Sequence, residues 1–170
     1  MKNLKTEKDP EKVEAIQDQL KVSVEEPVKI YTFPDGSVIK RELQVLSEST
    51  TQPSDSKIQP LATSCGTGYC TYTKILIRET NNVVGAEFKA DFTIVNGGND
   101  YISRVYDYNI AVNGGVYVLE KFEINRDTET LSYSAEAELS FQVQIAGVHG
   151  KTHRVKLFVG KDKYWSEANY

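Results

Sequence analysis

The chain is poor in the residues that do chemistry on their own. Its 170 residues include two cysteines, two histidines, one methionine and one tryptophan. A zinc site needs four protein ligands, or three and a water. One here would have to combine Cys65 and Cys70 with His149 and His153, which flank a different turn. No serine stands in a G-x-S-x-G elbow, and two turn histidines do not assemble a Ser-His-Asp order. Apolar runs such as Ile75-Leu76-Ile77 fall far short of the about 20 residues that a membrane-crossing helix needs. Basic clusters are missing too. Lys40-Arg41 is the densest pair and the net charge is −4, which argues against a nucleic-acid partner held through its phosphates. The stretch Met1–Pro10 lacks the apolar core of a secretory signal, so export requires that a signal was removed and replaced by Met1.

What is present is period-two patterning. From Leu131 to Ile145 every odd residue is apolar or aromatic and every even one is Ser, Glu or Gln. On a helix that set would scatter round the cylinder; on a strand it makes one dry face and one wet face. Residues 87–94, EFKADFTI, alternate equally cleanly. Turn compositions separate the apolar runs: Asn81-Asn82, residues 96–100, residues 113–115, residues 125–127 and residues 147–150. Strands are expected near 70–80, 83–95, 101–112, 116–124, 130–146 and 153–160. Short connections make sequential neighbours antiparallel. The expected fold is all-β, an antiparallel β-sandwich or flattened barrel of about eight meandering strands with a short N-terminal helix.

Composition divides the chain into four zones. Residues 1–26 are charged and free of aromatics. Asp9 and Pro10 read as the N-cap and first position of a short helix, with Val13, Ile16 and Leu20 as its apolar stripe. Residues 27–46 read as a β-hairpin turning at Pro34-Asp35-Gly36. The hydrophilic run at 47–63 reads as a flexible linker, and 64–170 as the sandwich domain.

The stretch Cys65-Gly66-Thr67-Gly68-Tyr69-Cys70 has three readings besides metal. A thioredoxin-like redox pair wants C-x-x-C at a helix N-terminus; here the spacing is wider and β-rich sequence follows. Two independent thiols are the second. A disulfide is the third: two glycines let the backbone curl so that the Cα atoms come within the ~4.4–6.8 Å such a bond requires. Closing so short a loop is worth about 2 kcal/mol. A structural disulfide implies an oxidising compartment and hence a secreted or cell-surface protein.

Other motifs fail on context. Residues 147–152, GVHGKT, resemble the end of a P-loop, but Ile145 stands where glycine is required and β-patterned sequence follows. Residues 96–100 are rich in oxygen ligands but lack the alternating acids and distal glutamate of a calcium loop. A pore-forming hairpin would put Glu136 and Glu138 in the lumen and give Ala135 and Ala137 to lipid, a poor membrane face. No catalytic, cofactor-binding or metal-binding residue is assigned, and no cofactor. The ten tyrosines suggest a binding face, because one core cannot hide every hydroxyl without partners. Its candidates are Tyr101, Tyr106, Tyr108, Tyr164 and Trp165.

Residues 31–37 (YTFPDGS), 85–94 (GAEFKADFTI) and 100–103 (DYIS) resemble small exported proteins of Gram-positive bacteria that carry a β-rich domain of unknown function. The resemblance covers about 25–170. It implies export and a β-sandwich, and it supplies no catalytic residue. The expected function is therefore an exported, non-enzymatic binding module of the cell envelope or exterior, its partner a glycan, a wall polymer or a protein. Two other classes compete. One is a secreted hydrolase using a pair among Glu87, Asp91, Glu136 and Glu138. The other is an inhibitor or immunity-type protein with the 65–70 loop as its wedge.

Overall fold

The computed structural model describes residues 15–23, 26–45, 63–146 and 150–169. Among them are ten strands in two antiparallel sheets. Strands β1 (Val28–Thr32), β2 (Val38–Val45), β3 (Thr63–Gly66), β4 (Tyr69–Asn81), β5 (Val84–Val95) and β6 (Tyr101–Val112) form the first sheet. Its order is β1-β2-β4-β5-β6, with β3 also paired to β4. Strands β7 (Gly115–Arg126), β8 (Ala135–Ile145), β9 (Thr152–Gly160) and β10 (Lys163–Ala168) form the second, in the order β10-β9-β8-β7. The expected sandwich and its meanders are present, the meander breaking twice: from β2 to β3, both of which pair with β4, and from β6 to β7.

The wet-dry alternation explains the layers. Phe88, Ala90 and Phe92 from β5 meet Ala137, Leu139 and Phe141 from β8 and Val155 and Leu157 from β9 in one dry core. Burying each large side chain is worth about 1.5–3 kcal/mol. Strand β6 lies over β7 and β8, while β4 and β5 lie over β9.

The hairpin at 28–45 turns as its sequence dictates. The Gly36 amide donates to the Phe33 carbonyl, and Asp35 accepts from the Ser37 amide and hydroxyl. β2 then pairs with β4 from Ile39 to Val45, so the hairpin extends the first sheet. Of the expected helix, Asp9, Pro10 and Val13 lie outside the described residues. The described part is a single 3-10 turn, Gln17–Leu20, with no side-chain cap. Leu20 and Ile16, the residue just before the turn, bury against Ile39, Tyr31 and Phe33 in a small second core. Most of the expected linker also lies outside the described residues. No helix among the described residues is long and apolar enough to cross a membrane.

Candidate functional site

One end of the sandwich gathers four connections and knits them together with hydrogen bonds. The first is the β3–β4 hairpin. Cys65 and Cys70 stand directly opposite in its register, Cα atoms 4.1 Å apart, and are joined as a disulfide. That is slightly under the range expected for the bond and nearest the separation of a non-hydrogen-bonded antiparallel pair. Gly68 turns the chain with φ +79°, a region that side chains disfavour. Gly66 has a different task. A Cβ there would lie 2.6 Å from the Tyr69 ring, so its absence lets the ring lie across the hairpin.

The second connection is the β5–β6 loop. The Asn96 amide donates to the Gly68 carbonyl at 2.9 Å, tying this loop to the hairpin tip. The loop closes on Asp100, which is wholly buried. Its Oδ1 accepts from the Val95 amide at 2.7 Å and its Oδ2 from the Asp162 amide at 2.9 Å. Burial, reinforced by the charges of Glu129 and Asp162, pushes this carboxyl above its usual range despite the two amides. Residues 96–100 therefore act as a structural clamp.

The third connection, 127–134, is pinned at its base. The Glu129 amide donates to the Asp100 carbonyl and the Ile102 amide to the Asp127 carbonyl. Its tip is a Thr-centred turn: the Thr130 amide donates to the Tyr133 carbonyl, and Thr130 Oγ1 accepts from the Tyr133 amide at 3.1 Å. Arg126 donates to the Ser134 carbonyl and stacks 4.9 Å from the Tyr133 ring. Leu131 stands at the tip with 105% relative exposure and Tyr133 beside it with 64%.

The fourth is the β9–β10 turn. Lys161 and Asp162 both hold positive φ, +57° and +58°. Such a pair matches the strand twist; aspartate tolerates it, but for a lysine it is costly. Two carboxylates hold it there: Glu129 Oε2 accepts from the Lys161 amide at 2.7 Å, and Asp100 from that of Asp162. Tyr69 and Tyr101 complete the exposed apolar surface of this end.

The five tyrosine and tryptophan candidates do not form one face. Tyr101 is exposed at the knitted end. Tyr106 donates its hydroxyl to Asp91 and lies under Arg104 on the outer face of the first sheet. Tyr108 packs edge-on against Phe122 at 5.0 Å, on the inner side. A bulge at Asp107, φ +52°, separates the two by reversing the parity of β6. Tyr164 is buried in the core against Phe92 and Tyr72, which removes it from any surface. Trp165 points the opposite way, stacked on Phe158 at 5.3 Å. Consecutive strand residues face opposite sides, so Tyr164 and Trp165 never share a face.

The four carboxylates weighed for hydrolysis divide between the two sheets. Glu87 pairs with Arg78, Asp91 with Arg104, Glu136 with Lys156 and Glu138 with Arg154. Burial alone would raise Asp91, but the Lys74 amide, Arg104 and Tyr106 outweigh it and hold this carboxyl below its usual range. Lys156 and Asn125 likewise outweigh burial and lower Glu136. Of the two turn histidines, His149 lies outside the described residues. His153 is half-buried, its ring stacked 5.6 Å from Phe141. No group of three or more His, Cys, Asp or Glu is placed to hold a metal ion among the described residues.

Sequence reasoning missed Tyr69, Leu131 and Tyr133 as surface residues. It carried the period-two pattern of β8 back to Leu131, whereas the strand begins at Ala135. The available signal was Thr130, whose hydroxyl favours a local turn over a sheet ladder.

The fold thus defines an antiparallel β-sandwich with a braced, exposed loop end. No protein-family model matches the chain, and no curated protein does. One solved structure similar to it is that of the hypothetical protein lmo2686 from Listeria monocytogenes EGD-e. The two are 14% identical, the match covers 86% of this chain and 95% of that one, and the TM-score is 0.43.

Proposed function

We propose that this protein is an exported, non-enzymatic binding module that engages a protein partner through its knitted loop end. The observation that carries the reading is Leu131. A fully exposed leucine loses nothing in folding by being polar, yet this one crowns a turn held by several hydrogen bonds. Beside it stand an exposed tyrosine, Tyr133, and the arginine stacked on its ring, Arg126, residue types that interface hot spots favour; a backbone already held by hydrogen bonds loses little entropy on docking. The positive φ at Lys161 and Asp162 is a second sign, since backbone strain clusters at functional sites. Leu131 and Tyr133 stand exposed at a loop tip, a placement that suits a protein partner better than the groove that a sugar needs. The 65–70 hairpin belongs to the same end, so an inhibitor-type wedge is a form of this reading. Export rests on the disulfide, which persists in oxidising compartments.

The test compares wild type with the double variant Leu131→Asp/Tyr133→Ala, both positions being exposed. Partners are captured from envelope and culture-supernatant fractions, and a glycan array is run in parallel. Proteins retained by wild type and lost by the variant are expected. Retention indifferent to the variant, or array binding with no protein retained, overturns the reading.

A further inference from the structure

Residues 15–23 cross the outer edge of β10 and belong to neither sheet. Their 3-10 turn has no side-chain cap, and beyond it Val22 makes a single antiparallel bridge to Ser166. β10 ends the second sheet, so without this cover its backbone would offer unmade hydrogen bonds to any extended chain. The edge is built to hold such a chain. Val22 is wholly buried and seats its side chain in the main core. Arg41 reaches from β2 to the carbonyls of Ser166 and Ala168, in long contacts of 3.4 Å each. The fit is imperfect. Ser166 is wholly buried, yet among the described residues its hydroxyl has no hydrogen-bond partner, and neither has the side-chain nitrogen of Gln17. Buried polar groups left unmade disfavour the closed arrangement. One bridge and the apolar contacts of Ile16, Leu20 and Val22 must also offset the ordering of the whole segment. Segments held this way open locally, before the sheets do.

We propose that residues 15–23 form a displaceable strap, and that the β10 edge beneath it accepts an extended protein segment. The incoming segment pairs antiparallel at Ser166 and seats one apolar side chain where Val22 sits. The strap itself shows the chemistry of this occupant. Main-chain pairing along the edge supplies the affinity, and the Val22 seat supplies the choice of side chain. Strap and partner compete for one edge. The apparent affinity for a partner is therefore its intrinsic affinity reduced by the fraction of molecules whose strap is open. Opening leaves β2 and Arg41 in place, because β2 is paired to β4 from Ile39 to Val45. The site uses neither Leu131 nor Tyr133 and is independent of what the loop end binds.

In the full chain, amide exchange is expected to show the strap opening with no dependence on denaturant, while Leu139 and Phe141 of β8 exchange only through global unfolding. A fluorescent peptide copying residues 15–23 is the probe for the edge, read by anisotropy. Leu20→Ser, which loosens the strap, is expected to bind it about tenfold more tightly than wild type, because affinity follows the open fraction. Gln17→Ala, which removes the contact to Arg41, is a second loosened variant, and circular dichroism checks that each keeps its sheets. Oxidised Val22→Cys/Ser166→Cys, which ties the strap to the edge, is expected to lose the peptide. Leu131→Asp/Tyr133→Ala is expected to bind it as wild type does. Equal binding by wild-type, loosened and locked chains, no binding by either loosened variant, or strap exchange only through global unfolding would each overturn the proposal.

Discussion

Arg41 and Glu79 are both fully buried and face each other across β2 and β4. Arg41 Nε donates to Glu79 Oε2 at 2.5 Å and Nη2 to Oε1 at 3.3 Å. Nη2 also reaches Gln17 at 2.8 Å. One guanidinium therefore joins the first sheet, the 3-10 turn and β10. Removing one member of a buried pair strands the other charge, so Arg41→Met is expected to cost about 3–5 kcal/mol in urea denaturation. Arg41→Met/Glu79→Leu should recover most of that loss; equal losses in the single and double variants would contradict the account. His153 gives a pH signature. Burial, helped by the charge of Lys151, lowers its pKa to about 4. The unfolded chain then binds the extra proton between pH 6.5 and about 4, so stability falls as pH drops through that window. His153→Phe keeps a ring against Phe141 and removes the titration. The stability of wild type relative to this variant is expected to fall by about 2 kcal/mol between pH 7 and pH 4, the shift being discounted for partial exposure.

At the scale of elements, the β3–β4 hairpin and the β9–β10 turn are held by opposite means, one covalent and one electrostatic. Cys65→Ser/Cys70→Ser is expected to lower stability by about 2 kcal/mol. Amide exchange should locate the loosening at residues 63–72, and unchanged protection there would refute the local role. For the second turn the informative variant is Gly160→Ala. The new Cβ would lie 2.6 Å from Glu129 Oε2 and 2.7 Å from Ser134 Oγ. It would push Glu129 off the Lys161 amide and leave the positive-φ pair half-supported. A loss of about 1 kcal/mol is expected, the net worth of one solvent-accessible hydrogen bond. β5 and β8 show how legible the strands were. Their alternation is complete in the sequence, and their apolar faces are buried from Val84 to Phe92 and from Ala135 to Val143, although Asp91, Thr93, Glu138 and Ser140 of the polar faces are buried as well. β6 was legible as a strand but not as a face, because the bulge at Asp107 reverses its parity and no propensity announces it.

At the scale of the whole molecule, the β2–β4 ladder and the Arg41 clasp make the hairpin and the sandwich one cooperative body. Unfolding followed by Trp165 fluorescence, which reports on β10, and by far-ultraviolet circular dichroism is expected to give coincident transitions. Two separate transitions would mean that residues 28–45 fold apart. What the amino-acid order determined by itself is the class of fold: period two with short polar turns admits only antiparallel sheets, and two closely spaced cysteines in β sequence readily become a cross-strand bridge. Which tyrosines are wet, which charges are buried and which loops share an end were decided by tertiary structure. Each depends on residues far apart in the chain, as Asp100 on Asp162 or Arg41 on Ala168, and local periodicity carries no information about partners brought together by sheet packing.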